Sequence, residues 1–305
     1  MKHKLLYLSA LSFVFIASSA VALSASGRNQ LVNFVKPEQK TFTPLPQLTK
    51  DNPYPVLSAQ SALVVDIDSG ISLYEKDPDK PLLPASTTKI ITALVAMDGL
   101  PDDLIIDIRL GKIEGQKMGL KNGEKIKVSD LLYGLLVYSA NDAAEALAQA
   151  YPGGREAFVN AMNEKTKELH LNSSSFNNPT GLDGNGHQTT ARDLIRVSEV
   201  AMRIPRFSEI VGTKEKVIKS VNGVVHRLFN INELLGKVRG VLGVKTGWTE
   251  NARENLVTYV ERDGKRVMIV LLASQDRFGE TTELIDWVYD SYTWKEVKYP
   301  VNYSP

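Results

Sequence analysis

The chain has 305 residues, with 36 Lys plus Arg against 35 Asp plus Glu, four His and no Cys. That length allows one or two domains with a self-sufficient core, and the lack of cysteine excludes disulfide scaffolds, zinc ribbons, iron–sulfur sites and thiol nucleophiles. A net charge of +1 argues against a nucleic-acid partner, which needs a basic excess to neutralise phosphates.

Lys2, His3 and Lys4 precede an uncharged, apolar run from Leu5 to Ser26 that ends in small residues. This pattern over residues 1–26 reads as a secretory signal peptide or, since its length could span a bilayer, as a retained N-terminal membrane anchor. Either way the remainder is expected to be exported. No cysteine follows the run, which excludes a lipid-modified N-terminus. Pro37, Pro44, Pro46, Pro53 and Pro55 then crowd a polar stretch, and proline at that density disfavours helix and sheet. Residues 27–60 are therefore predicted to be an extended linker, with the compact domain over 61–305.

The β-branched run Ser61–Asp66 predicts a strand, Asp68-Ser69-Gly70 a turn, and Ile71–Glu75 the returning strand. Ser86–Met97 is long, apolar and free of Gly and Pro, so it predicts a buried helix beginning close to Ser86. Further helices are predicted over Ser129–Val137, Asp142–Ala150, Arg155–Leu169 and Thr190–Met202. Strands resume at Lys216–Ser220 and Val224–Leu228, joined by Asn222-Gly223, a strong hairpin signal. Val241–Thr249, Glu254–Glu261 and Arg266–Ala273 complete the strands, with Asp263-Gly264 as a turn, before a closing helix over Glu280–Tyr292. The order predicts an α/β (α+β) fold: one antiparallel sheet assembled from both chain ends, flanked by helices, with an all-helical lobe inserted at about 98–215.

Histidine chemistry can be set aside. Outside the export segment only His170, His187 and His226 remain, none with a metal-type partner at i+3 or i+4, and HExxH is absent. No metal site or cofactor is expected. There is also no G-x-S-x-G elbow. Ser86-Thr87-Thr88-Lys89 is the only Ser-x-x-Lys, and three-residue spacing on a helix lets the Lys89 amine reach the Ser86 hydroxyl. A lysine can serve as base only when burial or a second cation lowers its pKa; the competing reading is a Ser N-cap with a solvated Lys. Lys245-Thr246-Gly247 places a lysine in a strand-like run, either as that second cation or as an edge-strand gatekeeper, and Gly247 would let a ligand backbone approach. Ser-x-Asn occurs three times: Ser139-Ala140-Asn141, Ser175-Phe176-Asn177 and Ser220-Val221-Asn222. Only the first lies between two helical runs, where Ser139 and Asn141 can point into a cleft as well as cap a helix.

In this order, Ser86-x-x-Lys89, Ser139-x-Asn141 and Lys245-Thr246-Gly247 are the motif set of penicillin-binding proteins and class A β-lactamases. The surrounding PASTTKIITALVAM, MGLKNGEKIKVSDLLYGLLVYSANDAAEALA, NPTGLDGNGHQTTARDL and VKTGWT resemble the low-molecular-mass D-alanyl-D-alanine carboxypeptidases over about Ser61–Tyr289. The resemblance implies a β-lactamase/transpeptidase-like fold and a serine peptidase acting on peptidoglycan stem peptides and acylated by β-lactams. Carried over, Ser86 is the nucleophile, Lys89 its base and Ser139 a proton relay. Asn141 binds the substrate amide, Lys245 shapes the field, Thr246 meets the substrate carboxylate, and Gly247 belongs to the same binding strand. The N–H groups of Ser86 and Trp248 form the oxyanion hole, and Arg277 adds charge for the carboxylate. The short stretch after Gly247 leaves no room for the family's usual β-rich second domain and C-terminal anchor, so any membrane attachment is expected at the N-terminus. Shorter members include D,D-endopeptidases, which stands as an alternative beside a β-lactamase and a non-catalytic peptidoglycan-binding protein. Glu168-Leu169-His170-Leu171-Asn172 matches the Glu-x-x-Leu-Asn of class A β-lactamases, but Phe158, Met162 and Leu169 put it at the end of an amphipathic helix, where Glu168 reads as a surface carboxylate.

Overall fold

The computed structural model describes residues 43–296; the expected export segment, residues 1–26, lies outside them. In chain order the elements are β1 (Leu45–Leu48), β2 (Ser61–Asp66), β3 (Ser72–Lys76), a 3-10 turn (Ala85–Thr88), α1 (Lys89–Gly99), β4 (Ile105–Asp107), β5 (Lys125–Lys127) and α2 (Val128–Leu136). They continue with α3 (Asn141–Ala150), α4 (Gly154–Glu168), α5 (Ala191–Met202), α6 (Pro205–Val211), β6 (Glu215–Lys219) and β7 (Val225–Phe229). The last are β8 (Val241–Thr249), β9 (Arg253–Arg262), β10 (Lys265–Ser274), α7 (Arg277–Ser291) and β11 (Tyr292–Lys295).

One five-stranded sheet, in the order β3-β2-β10-β9-β8, organises the molecule, and every neighbouring pair is antiparallel. Strands from both chain ends thus share one sheet, as predicted. Successive residues of β10 serve two different cores, because side chains alternate across a sheet. Val267, Ile269 and Leu271 pack with Leu284, Ile285 and Val288 of α7, whereas Met268, Val270 and Leu272 pack with Ile90, Ile91 and Leu94 of α1 and the helices around it. Burial on both faces explains why β2 and β10 read as unbroken apolar runs instead of alternating ones. It also leaves β8, the strand carrying Lys245-Thr246-Gly247, at the edge of the sheet beside the serine turn.

The structure departs from the sequence reading at several places. The linker predicted over 27–60 does not hold for its described part. Leu45–Leu48 forms a ladder with Tyr292–Lys295, with Pro46 opposite Trp294, and proline is tolerated in so short an edge ladder. Leu57 and Ala59 are buried in the α7-side core. The lobe is not all-helical, since β4 and β5 pair within it; three-residue strands are too short to leave a periodic signature. α6 and β11 also escaped prediction. α7 begins at Arg277, earlier than expected, because the Asp276 side chain caps it by accepting the Gly279 N–H at 2.9 Å. Among the described residues, no helix is long and apolar enough to cross a membrane.

Glu280 ties residues 58–59 to the sheet. Its carboxylate accepts the Ser58 and Ala59 N–H groups and the Ser274 hydroxyl, the last at 2.6 Å. Glu280→Ala should therefore cost about 2 kcal/mol, because it takes the acceptor from two buried donors, the Ala59 N–H and the Ser274 hydroxyl. Urea unfolding measures this directly, and an unchanged midpoint would mean that residues 43–60 contribute as little as a free linker.

Candidate active site

Pro84 starts the serine turn: its carbonyl accepts the Thr87 N–H at 3.2 Å and the Thr87 hydroxyl at 2.7 Å. Ser86 is thereby held in a 3-10 turn before α1 starts at Lys89, and neither helical segment uses a side-chain cap. The capping reading of Ser86 falls away, and its hydroxyl is free for other partners. Ala85 just before it is buried with φ +48°, a backbone region that non-glycine residues seldom occupy away from functional sites. Two glycines admit this turn. A Cβ on Gly247 of β8 would lie 3.0 Å from Pro84 O and Ser86 N, and one on Gly181, whose φ is +85°, would lie 1.9 Å from Ala85 O. The serine turn is therefore wedged between the edge strand and the loop that follows Asn177.

Lys89 is fully buried at the first position of α1. Its Nζ lies 2.9 Å from Ser86 Oγ, 2.7 Å from Asn141 Oδ1 and within bonding distance of Thr180 O. The last two can only accept. A neutral amine has two N–H donors and one lone pair, so these two acceptors take both donors and the lone pair is left facing the Ser86 hydroxyl. The electrostatics favour that neutral form: burial holds the Lys89 pKa well below the usual lysine range, and the nearby Lys245 charge pushes the same way. α1, the helix opening α3 and the Asn178–Leu182 loop each supply one part of this arrangement.

Lys245 is also buried, which removes the edge-gatekeeper reading. Its Nζ donates to Ser139 Oγ at 2.9 Å and to Thr246 O at 3.0 Å. Burial first, and the Arg277 charge second, lower its pKa to about 7. Ser139, with φ +60°, turns the chain between α2 and α3. Arg277, at the start of α7, donates to Gly247 O at 2.9 Å. Thr246 Oγ1 and Arg277 Nε are buried and have no hydrogen-bond partner among the described residues. Both residues line a cleft of about 520 Å³ together with Ser86, Ser139, Asn141 and the exposed Trp248. Two cationic side chains, Lys245 and Arg277, converge here beside unfilled donors, and that is a setting for an anionic ligand group.

Ser86, Ser139, Asn141, Thr246, Gly247, Trp248 and Arg277 therefore meet at one cleft, with Lys89 and Lys245 directly beneath it. Asn141 differs from expectation in one respect. Its Oδ1 already accepts from Lys89, and its Nδ2 donates to Glu114 O at 2.8 Å, so in this structure its amide orients the lysine. The other Ser-x-Asn matches lie elsewhere: Asn177 contacts His187, and Asn222 Oδ1 accepts the Lys125 N–H. Glu168 is solvent-exposed and paired with Lys165 at 2.6 Å, as its helix position predicted. Sequence reasoning missed Thr180 and the Gly115-Gln116 wall. The Asn178-Pro179-Thr180-Gly181 turn was the available signal for the first. The second lies in a segment with no periodicity.

His187 is buried behind this assembly, with Nε2 2.9 Å from Thr88 Oγ1. Burial pushes its pKa down to about 4. Between that value and the unfolded value near 6.5 the unfolded chain binds the extra proton. His187 should therefore cost stability as pH falls from about 6.5 to 4, by roughly 3 kcal/mol in total. Urea unfolding across that range checks this, and His187→Asn should flatten the dependence; an equally steep loss in the variant would assign it to other groups.

Comparison with known proteins agrees with this geometry. Residues 47–276 match the family described as D-alanyl-D-alanine carboxypeptidase. A D-alanyl-D-alanine carboxypeptidase of Bacillus subtilis is 32% identical over 244 residues, covering 77% of this chain but only 63% of that relative. A D-alanyl-D-alanine endopeptidase of Pseudomonas aeruginosa is 34% identical over 292 residues, covering 94% of this chain and 86% of the relative. The solved structure of a D-alanyl-D-alanine carboxypeptidase from Mycobacterium tuberculosis H37Rv superposes with a TM-score of 0.75 at 33% identity, covering 83% of this chain and 99% of that one. With the family match running from within β1 to the residue before α7, the chain belongs to the D-alanyl-D-alanine carboxypeptidase family of serine peptidases.

Proposed function

We propose that this protein is a serine-type D,D-carboxypeptidase that removes the terminal D-alanine from peptidoglycan stem peptides. The observation that carries this reading is the Lys89 amine, with both its N–H donors taken and its lone pair 2.9 Å from Ser86 Oγ. A serine hydroxyl is a weak nucleophile until a base accepts its proton, and a buried amine beside a second cation is such a base near neutral pH. Ser86 Oγ attacks the carbonyl of the D-Ala-D-Ala bond as its proton passes to Lys89. The N–H groups of Ser86 and Trp248 stabilise the oxyanion. Ser139, hydrogen-bonded to Lys245, relays a proton to the leaving amine, and the bond to D-alanine breaks. Water then hydrolyses the Ser86 ester. The terminal carboxylate is met by the unfilled donors of Thr246 and Arg277, with Lys245 supplying field, while Gly247 allows the substrate backbone to lie along the edge strand. Penicillins, which present a strained amide and a carboxylate at similar positions, acylate the same serine.

The endopeptidase relative, similar along nearly the whole chain, favours one second reading: cleavage of D-alanyl cross-links at this same cleft. The apolar run at residues 1–26 supports export to the cell-wall space as a cleaved signal or a retained anchor, which suits a peptidoglycan substrate.

A fluorescent penicillin should label the wild type, and Ser86→Ala should reduce labelling by more than about a thousand-fold. An unlabelled wild type would overturn the acyl-enzyme reading. Incubation with a pentapeptide monomer and a cross-linked dimer then separates the two activities by the bond that disappears; the carboxypeptidase reading predicts D-alanine release from the monomer.

Lys89 must be neutral to accept the proton, so acylation should rise with pH through the Lys89 pKa. Lys245→Gln removes a neighbouring positive charge, lets Lys89 hold its proton to higher pH, and should move the acid limb of the acylation profile upward. A limb that stays in place, whatever the change in rate, would remove Lys245 from the control of Lys89.

A further inference from the structure

Two ionisable side chains are buried together away from the cleft. His226 lies on β7 and Glu124 just before β5; their side chains are 3% and 0% exposed, with Nε2 2.7 Å from Oε1. The other ring nitrogen, Nδ1, lies 3.2 Å from Met118 O. A backbone carbonyl and an ionised carboxylate can only accept, so both contacts are hydrogen bonds when the ring carries two N–H donors and the two residues form an ion pair. The second Glu124 oxygen accepts the Lys121 N–H at 3.1 Å.

Met118 and Lys121 belong to the irregular segment 111–124, which forms one wall of the cleft through Gly115 and Gln116. Between β4 and β5 this segment has no regular ladder of its own, so a few individual hydrogen bonds, several of them to side chains, set its position. On one side, the Asp142 carboxylate accepts the consecutive N–H groups of Met118, Gly119 and Leu120 at 3.0, 2.9 and 3.0 Å. On the other side stands the His226–Glu124 pair. The segment in turn fixes Asn141: Gln116 O accepts the Asn141 N–H at 2.7 Å, and Glu114 O accepts the Asn141 Nδ2 at 2.8 Å. Asn141 Oδ1 is one of the two acceptors that direct the Lys89 amine.

We infer that His226 and Glu124 are positioning residues for the reaction, holding the 111–124 segment so that Asn141 keeps Lys89 aimed at Ser86. The inference rests on the reading of Lys89 as the base. A partner removed from a buried pair leaves an uncompensated group, so the segment should loosen on its β7 side, and small displacements of a reacting group are costly in rate.

The test is stopped-flow acylation of the full chain by a fluorescent penicillin, with thermal melts to establish that each variant is folded. Glu124→Gln and His226→Gln should each lower the limiting acylation rate about ten-fold while changing the pre-covalent dissociation constant less than about two-fold. The double variant should lose no more than the worse single variant, since both act through one contact. Amide exchange at Met118, Gly119 and Leu120 should accelerate in all three. Glu124→Asp keeps the charge on a shorter arm, should lose an intermediate amount, and covers a Gln variant that does not fold. Folded variants with the wild-type limiting rate, or a loss confined to the dissociation constant, would overturn the inference. A wild type that does not acylate would instead overturn the reading of Ser86 and Lys89 themselves.

Discussion

A lysine amine sealed in the protein, with carbonyl-type oxygens around it and a second lysine nearby, is the constraint on which this structure turns. Desolvation penalises the ammonium form, and a like charge penalises it further. The amine can persist neutral only if its donors are paired and its lone pair has a use. Lys89 meets both conditions because three separate segments reach it: α1 itself, the start of α3 through Asn141, and the Asn178–Leu182 loop through Thr180 O. Its lone pair then has one remaining neighbour, Ser86 Oγ.

The central sheet makes this convergence possible. Its strands are covered on both faces, by α7 on one side and by α1 and its surrounding helices on the other. α1 is therefore anchored by the apolar residues behind Lys89, and the serine turn is presented at one end of it. β8 lies at the edge of the sheet with its last residues against that turn, where Gly247 and Gly181 leave space that any side chain would fill. Buried cations at the edge strand and at the start of α7 give the cleft a local positive field, although the chain as a whole is nearly neutral. The field comes from placement, not from net charge.

Much of the fold was legible in the sequence. Strong local signals translated directly: the apolar runs became the long central strands, Asn222-Gly223 became the β6–β7 turn, and the amphipathic stretches became α2 to α5. Elements with weak local signals did not. β1 contains a proline and gains its ladder only from β11, nearly 250 residues away by register. β4 and β5 have three residues each, and residues 43–60 look like a linker until Glu280 and the α7-side core are seen to hold them.

At the site, the sequence by itself singled out side chains that the structure gathers at or beneath one cleft. Three-residue spacing put Ser86 within reach of Lys89 and contiguity put Lys245, Thr246 and Gly247 on one strand, while the roles expected of them came from resemblance to a known family. The sequence could not choose among three Ser-x-Asn matches on spacing alone, nor show that Asn141 would turn its amide toward Lys89. It gave no sign that Thr180 O, Gly115 and Gln116 line the same cleft. Those features were decided by tertiary structure, for a physical reason: a lysine becomes a base through desolvation and through the acceptors and charges around it. Those surroundings are assembled from chain segments separated by 52 to 156 residues, as the Asn141, Thr180 and Lys245 positions relative to Lys89 show, and no local pattern encodes a distance across the fold.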